Sequence, residues 1–164
     1  MTMNNPELAF SQATREDLDY LTQKTIQLHQ FESANGKAEL QVNDKFEDNI
    51  RHWLSLELAN DSSLIFTVSD NQQRIGFAFL KILPNPNNFT EYRSFGLIQT
   101  IWVDDEFRQK KAGASIVSFI ESIFKEQQVS YYEVNYSAQN ELAGKFWESC
   151  GLVPTSITAR KFLD

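Results

Sequence analysis

The sequence is poor in the residues that build disulfide frameworks and metal centres. Its 164 residues include one cysteine, Cys150, and two histidines, His29 and His52. A single cysteine excludes an internal disulfide and a cysteine-based metal cluster, and two histidines argue against a multi-histidine metal site. We therefore predict a protein of a reducing compartment, the cytoplasm, without a metal site.

Long apolar runs and positive charge are scarce as well. No stretch approaches the roughly 20 apolar residues that span a bilayer. The formal net charge is -7, whereas general binding to nucleic acid or to anionic membranes depends on clustered Lys and Arg. We predict neither nucleic acid nor membrane as a partner.

The residues that are present indicate one folded domain. Apolar residues make up 41% and charged residues 23% of the chain, a composition typical of globular proteins. The length suits one domain with its own core, and we assign that domain to residues 1–164.

Periodicity predicts helices and a hairpin in the first half. After a short strand at 8–13, Thr14 is a candidate helix N-cap with Asp17 three residues on. Apolar residues then recur at helical spacing in two helices, first at Leu18, Leu21, Thr25 and Leu28, and then at Phe46, Ile50, Trp53, Leu54 and Leu58. A polar loop at 32–44 separates these helices. Two apolar runs, 64–68 and 75–83, predict a hairpin.

The second half predicts alternating strands and helices. A long loop at 84–94 leads to a strand at 97–103 and a helix at 113–124. Tyr132, Val134 and Tyr136 alternate as a strand, and a last helix contains Leu142, Ala143, Phe146 and Trp147 before Gly151. Residues 152–162 are candidates for one or two final strands. The order predicts a mixed α/β or α+β fold around one central sheet.

The densest positive cluster of this acidic chain lies between a strand and a helix. Arg108, Lys110 and Lys111 stand between Val103 and Gly113. The first N–H groups of a helix and its dipole attract phosphate. A solvated basic turn with ordinary capping explains the same residues.

This run resembles the acyl-CoA loop of the GNAT superfamily of N-acyltransferases. That motif follows a strand ending in Val and reads Gln or Arg, two residues, Gly, one residue, then Gly or Ala. Arg108 fits its first position and Gly113 its last, whereas Lys111 stands at the usual first glycine. A lysine fits there if its φ is negative, and its ammonium then reaches a phosphate; the alternative is that it weakens binding.

A second segment resembles the same family. The family has Asn at the start of its next helix, Ala three positions later, an aromatic residue at seven and Gly at eleven. Here Asn140, Ala143, Trp147 and Gly151 match.

The resemblance implies a mixed central sheet with a splayed strand pair, flanked by about four helices, and acetyl-CoA as co-substrate in the cleft. The implied pantetheine contacts are Ile101, Trp102 and Val103. The implied pyrophosphate contacts are Arg108, Gln109, Lys110, Lys111, Ala112, Gly113 and Ala114. Asn140 either lies near the pantetheine or the loop, or caps its helix.

The implied reaction is direct attack of a primary amine, on a small molecule or a protein, on the thioester. The oxyanion needs a donor, for which a backbone N–H near Trp102 or Val103 is the candidate. Trp147 stands where the family has its general acid, and Gln99 stands where it has its general base. Neither side chain exchanges a proton usefully. Tyr136 is a candidate replacement acid, although inward-alternating aromatic residues such as Tyr136 and Trp147 are more often core residues.

A proton path by water to Glu32, to Asp104 or to solvent replaces the missing base.

The leading hypothesis is an acetyl-CoA-dependent N-acetyltransferase, and the alternative is a weak or inactive module that binds acyl-CoA or a partner. By resemblance a homodimer is also expected.

Overall fold

The computed structural model describes residues 7–33, 40–108 and 111–163. In these ranges the strands are β1 (Leu8–Gln12), β2 (Ser63–Asp70), β3 (Gln73–Pro84), β4 (Ser94–Val103) and β5 (Tyr132–Val134). The α-helices are α1 (Leu18–Ser33), α2 (Phe46–Leu58), α3 (Ala112–Glu126) and α4 (Glu141–Ser149). The predicted order of elements is confirmed as far as α4. No helix of the described ranges is both long and apolar enough to cross a bilayer.

The sheet is mixed and opens on one side of β4. Strands β1 to β4 are antiparallel neighbours in chain order, and β5 lies parallel to β4. The ladder between β3 and β4 runs the length of β4, whereas β5 pairs only with Gly96–Ile98. The β4–β5 ladder ends at Ile98, where β5 itself ends, while β4 continues to Val103. This agrees with the predicted splayed pair, and the predicted fold class is confirmed.

The two faces of the sheet carry different helices, because successive side chains of a strand point to opposite faces. On one face α1 and α2 cover a cluster of buried residues: Leu21, Leu54, Ile65, Phe77, Phe79 and Trp102. On the other face α3 and α4 cover a larger cluster that includes Val68, Ile75, Leu80, Ile116, Ile120, Phe124 and Trp147. Helices α3 and α4 therefore share one side of the molecule.

Two local predictions from the sequence are confirmed. Thr14 and Asp17 form a capping box: the Thr14 hydroxyl accepts the Glu16 N–H at 3.3 Å and the Asp17 carboxylate accepts the Thr14 N–H at 2.9 Å. The hairpin turn places Asn71 and Gln72 in the left-handed region, at φ 48° and 68°, as a tight two-residue hairpin turn requires.

A buried ion pair joins α2 to the sheet. Lys81 Nζ lies 3.0 Å from the Glu57 carboxylate, which also accepts the Ser63 hydroxyl. Burial alone would raise the pKa of Glu57, but the hydrogen bonds from Ser63 and Lys81 and the charge of Lys81 outweigh it and lower the pKa. The carboxylate thus stabilises the fold above its unfolded pKa, and this contribution disappears as pH falls through the folded pKa.

The predicted strands at 152–162 are wrong. The structure has no helix or strand from 152 to 163, and Val153 and Ile157 are 77% and 86% exposed. The segment has strand-forming residues but no paired neighbour, and propensity alone does not form a strand. The preceding strand is also shorter than predicted, because β5 ends at Val134 and Tyr136 lies beyond it.

The first helix is longer than predicted. It includes Glu32 and Ser33, which the sequence assigned to the following loop. Residues 34–39 of that predicted loop lie outside the described ranges.

Candidate functional site

The opening between β4 and β5 is lined by backbone groups of β4. The Asp104 N–H donates to the Ile75 carbonyl at 2.7 Å, toward β3. Because backbone groups alternate sides along a strand, the N–H and C=O groups of Ile101 and Val103 point away from β3, into the opening. Trp102 differs, since its backbone faces β3 and its side chain is buried under α1.

A bulge marks the point where β4 leaves β5. Phe79 pairs with Thr100 and Leu80 with Ile98, so Gln99 has no partner in the ladder with β3. The Gln99 side chain is exposed. A bulge redirects a side chain and bends its strand, and this one places Gln99 at the narrow end of the opening.

Helix α3 begins without a side-chain cap. Its N-cap residue, Lys111, has φ 61° and ψ 16°, and the first backbone bond of the helix joins the Ser115 N–H to the Lys111 carbonyl at 3.2 Å. The N–H groups of Ala112, Gly113 and Ala114 precede that bond and lack an intrahelical acceptor. Helix starts of this kind, with free N–H groups and the positive end of the helix dipole, can bind anions.

Lys111 does not meet the condition of a negative φ. Left-handed backbone costs an L-residue roughly 1–2 kcal/mol, so the loop keeps the shape that glycine adopts easily. Its neighbours Gln109 and Lys110, predicted pyrophosphate contacts, lie outside the described residues.

Gly113 is required by packing as well. A Cβ on Gly113 would lie 2.9 Å from the ring of Phe146 in α4. Ala112 beside it is buried, whereas Ala114 is exposed. The small residues thus let the start of α3 approach α4 while one side of the turn stays open.

Arg108 folds back onto the end of β4. Its Nε donates to the Val103 carbonyl at 2.8 Å and its Nη1 lies 2.6 Å from the Asp105 carboxylate. Its guanidinium lies 4.7 Å from the centre of the Trp102 ring and 5.0 Å from that of Phe31. Arg108 therefore closes one end of the opening, and its contact with pyrophosphate stays a prediction.

Asp104 ties the end of β4 to α1. Its Oδ1 accepts the indole N–H of Trp102 at 2.9 Å and lies 2.9 Å from Lys24 Nζ. These contacts make Asp104 an anchor between β4 and α1, and its use as a terminal base stays only a prediction. Sequence reasoning missed Lys24 and Phe31, because both belong to α1 and no local pattern links them to this loop.

Tyr20 of α1 lies beside this anchor. Its hydroxyl is buried and has no hydrogen-bond partner within the described ranges. Burial and the nearby charge of Asp104 raise the pKa of Tyr20 to about 12, although Arg74 opposes them. The phenol therefore stays protonated at neutral pH.

No hydrogen bond or ring contact joins the three predicted catalytic residues in the part of the chain that the structure describes. Trp147 is 7% exposed and packs edge-on against Phe146, with ring centres 4.9 Å apart, as the core alternative expects. Tyr136 is 36% exposed and lies over Gly144. Gln99 is at the bulge. Their catalytic roles stay predictions.

Asn140 caps α4. Its Oδ1 accepts the Ala143 N–H at 3.1 Å. This confirms the capping alternative, and a contact with pantetheine or the loop stays a prediction.

A groove of about 1440 Å³ lies along β5 and is bordered by α1, the start of α4 and residues 150–160. Among the described residues that line it, four carry a carboxylate and one is an arginine, Arg160; the four are Glu32, Glu121, Glu133 and Glu141. Negative charge raises the local concentration of cations, so the groove favours a cationic molecule over an anionic one.

Cys150 borders the same groove as an unreactive thiol. Burial raises its pKa and Glu121 adds to the effect, against a hydrogen bond with Ser149. A thiol with a raised pKa is a poor nucleophile at neutral pH.

The chain matches the model of the Acetyltransferase (GNAT) family over residues 25–152. No curated protein sequence matches it.

Several solved structures share the fold. A GCN5-related N-acetyltransferase from Ralstonia eutropha JMP134 is similar with a TM-score of 0.76 and 16% identity, over 94% of this chain and 98% of that one. An aminoglycoside antibiotic 6'-N-acetyltransferase from Acinetobacter haemolyticus gives 0.72 and 16%, over 95% and 99%. A predicted acetyltransferase with acetyl-CoA from Clostridium acetobutylicum gives 0.72 and 14%, over 94% and 96%.

Proposed function

The chain belongs to the Acetyltransferase (GNAT) family, and from this premise we propose that it transfers an acetyl group from acetyl-CoA to a primary amine. The acceptor is a small molecule or an exposed protein amine. The single observation that carries the proposal is the start of α3, where Lys111 is left-handed and the helix has no side-chain cap.

The residues present fit acetyl-CoA. The N–H groups of Ala112–Ala114 are donors for the diphosphate. The cleft-facing N–H and carbonyl of Ile101 are partners for the amides of pantetheine, whereas the Val103 carbonyl is already bonded to Arg108. Acetyl-CoA supplies an activated acyl group on a thiol that leaves readily.

The chain's own residues support direct attack by the amine in a ternary complex. The raised pKa of Cys150 disfavours an acyl group carried on the protein. The Val103 N–H is the donor for the carbonyl oxygen as it becomes negative. Val103 is thus the better of the two predicted donors, because the Trp102 N–H faces β3.

Proton transfer is the weaker part of the catalytic apparatus. Gln99 cannot act as a base, so water along the groove carboxylates carries the proton of the amine to solvent. Tyr136 is the exposed phenol beside the groove and the candidate proton donor to the leaving thiolate.

A second function is favoured by two residues. Trp147 is buried in the core and Gln99 replaces a carboxylate, so neither supplies acid–base chemistry. A module that binds acyl-CoA with little turnover agrees with both observations.

Measurements of acetyl-CoA binding and of turnover distinguish the transferase from the binding module. Acetyl-CoA at about 100 times its dissociation constant should stabilise the protein by about 2.7 kcal/mol, which raises the melting temperature. Release of free thiol is then followed with aminoglycosides, polyamines, amino acids and peptides; the aminoglycosides are included because of the Acinetobacter neighbour.

Each outcome is decisive. Stabilisation with thiol release supports the transferase, and stabilisation without release from any acceptor supports the binding module. If acetyl-CoA at millimolar concentration does not raise the melting temperature, both functions are contradicted.

A further inference from the structure

Strand β5 presents unpaired backbone groups to the groove. It pairs with β4 on one side, and in the described ranges no strand pairs with its other side. The Gly96 N–H donates to the Tyr131 carbonyl at 3.0 Å, toward β4. Because backbone groups alternate sides along a strand, the N–H and C=O groups of Tyr132 and Val134 point away from β4. They are donors and acceptors for an extended peptide.

The groove beside these groups is large enough for a polypeptide. Its volume of about 1440 Å³ exceeds the roughly 300–1,000 Å³ of small-molecule pockets. It runs along β5 and includes Tyr136, the candidate proton donor. A chain that lies along β5 can therefore bring an amine to the reacting end of acetyl-CoA.

Two exposed carboxylates of the groove, Glu133 and Glu141, favour a basic occupant. Tyr132 and Val134 pack against the buried cluster under α3 and α4, so the Glu133 side chain points to the opposite face of the sheet. Arg160 is the one arginine or lysine among the described residues that line the groove. Carboxylates outnumber it, so basic side chains complement the charge of the groove.

The unpaired backbone groups distinguish a peptide from other polycations. A protonated polyamine carries hydrogen-bond donors only, so it would leave the N–H groups of Tyr132 and Val134 without acceptors. An extended peptide presents both N–H and C=O groups at the spacing of a strand, and its alternate side chains point to one face. Lysine or arginine at alternate positions would then lie on the side of Glu133.

Resting on the proposed function, we infer that its acceptor is an exposed basic segment of another protein. This segment binds in the groove in extended conformation and pairs with the free backbone groups of β5. A protein amine is thereby preferred to a small molecule as the acceptor.

Fluorescence anisotropy of a short peptide of alternating Lys and Ala, labelled at its C-terminus, measures the binding. Glu133→Gln should weaken it about twofold to fivefold and reduce its dependence on salt, because one ion pair is lost. Glu16→Gln removes the same charge from the turn before α1, outside the groove, and is the matched control that should keep the affinity. Both carboxylates are exposed, so neither change should alter the melting temperature measurably.

Two further probes test the backbone pairing. The same peptide with methylated backbone nitrogens keeps its charges but loses the N–H groups that pair with β5, so it should bind at least about fivefold more weakly. Spermine carries positive charge without peptide bonds and should also bind more weakly than the peptide.

Hydrogen exchange identifies the strand used. With the peptide bound, the amides of Tyr132 and Val134 should exchange more slowly, whereas that of Glu133, which faces β4, should change little. Unchanged exchange at Tyr132 and Val134 overturns the inference, as does equal affinity for the methylated peptide or tighter binding of spermine. An equal loss of affinity in Glu133→Gln and Glu16→Gln overturns it as well.

Thiol release from acetyl-CoA separates the failure of this inference from the failure of the proposed function. Release with a small amine but not with the bound peptide overturns the inference and leaves the transferase in place. If the peptide binds at β5 but no amine of any kind causes release, the proposed transfer is contradicted, and the exchange results still support β5 as a docking site.

Discussion

Helices α3 and α4 pack against each other, but their first turns differ. The turn of α4 is complete within the protein, because Asn140 accepts the Ala143 N–H. The turn of α3 has no side-chain acceptor, and Lys111 before it is held in a left-handed conformation. A helix start can therefore bind a ligand when its first N–H groups have no hydrogen-bond acceptor within the protein itself.

The largest expected effect comes from removing one N–H from each turn. Ala114 and Ala143 are the third residues of α3 and α4, and proline is tolerated in a first helical turn. We expect Ala114→Pro to weaken acetyl-CoA binding about tenfold or more, because a hydrogen bond to a charged group contributes about 1.5–3 kcal/mol. Titration calorimetry measures the affinity.

Ala143→Pro is the matched control for that change. It removes the N–H that Asn140 already occupies, so it should lower the melting temperature and leave the affinity for acetyl-CoA within about threefold. Equal losses of affinity in the two variants would remove the distinction between the helix starts.

A smaller effect is expected from Asp104, which anchors the strand that leads into α3. Asp104→Asn keeps the shape but removes the charge that Lys24 pairs with, so the free energy of unfolding should fall by about 1 kcal/mol. Acetyl-CoA affinity should fall several-fold, because the end of β4 and Arg108 lose their support. Denaturant titration and calorimetry report the two quantities.

Asp19→Asn makes the same change in an exposed ion pair of α1, with Arg51. It should alter neither stability nor affinity measurably. A response to Asp104→Asn no larger than this control would show that the anchor does not support the loop.

Removing the cap of α4 tests the other side of the comparison. Asn140→Ala should cost about 1 kcal/mol of stability, with at most about a threefold loss of affinity, because the capping oxygen faces the protein. Asn140→Asp keeps an accepting oxygen and should keep the melting temperature. Loss of binding in Asn140→Ala at unchanged stability would instead assign Asn140 to the ligand.

The smallest effect is expected at Lys111. Lys111→Gly relieves the strain of the left-handed conformation but increases the conformational entropy of the unfolded chain. The free energy of unfolding should therefore rise by about 0.5–1 kcal/mol. Gln128, at φ 59° beyond the other end of α3, provides the control, and Gln128→Gly should stabilise similarly. Acetyl-CoA affinity should change by less than about threefold in Lys111→Gly, and a large loss would mean that the ammonium itself binds the diphosphate.

The sequence predicted the elements whose signals are local. The cap at Thr14, the hairpin turn near Asn71 and the end of α4 before Gly151 each depend on neighbouring residues. The loop before α3 was found in the same way, from its spacing between Val103 and Gly113.

Contacts between distant segments were not predictable. The pairing of Lys24 with Asp104 and the stacking of Arg108 between Trp102 and Phe31 join α1 to β4 through the fold alone. The strand expected at 152–162 failed for the related reason that strand formation needs a neighbour, which propensity does not supply. The sign of φ at Lys111 was left open, because it is set by the loop and not by the identity of the side chain.

The most direct test of the binding site follows the backbone amides themselves. With ¹⁵N-labelled protein, saturating acetyl-CoA should shift the amide resonances of Ala112, Gly113 and Ala114. Inorganic pyrophosphate should shift the same three and leave the amide of Ala143, already bonded to Asn140, in place. If acetyl-CoA saturates the protein while those three resonances stay unchanged, the diphosphate is held elsewhere and the account of α3 is contradicted.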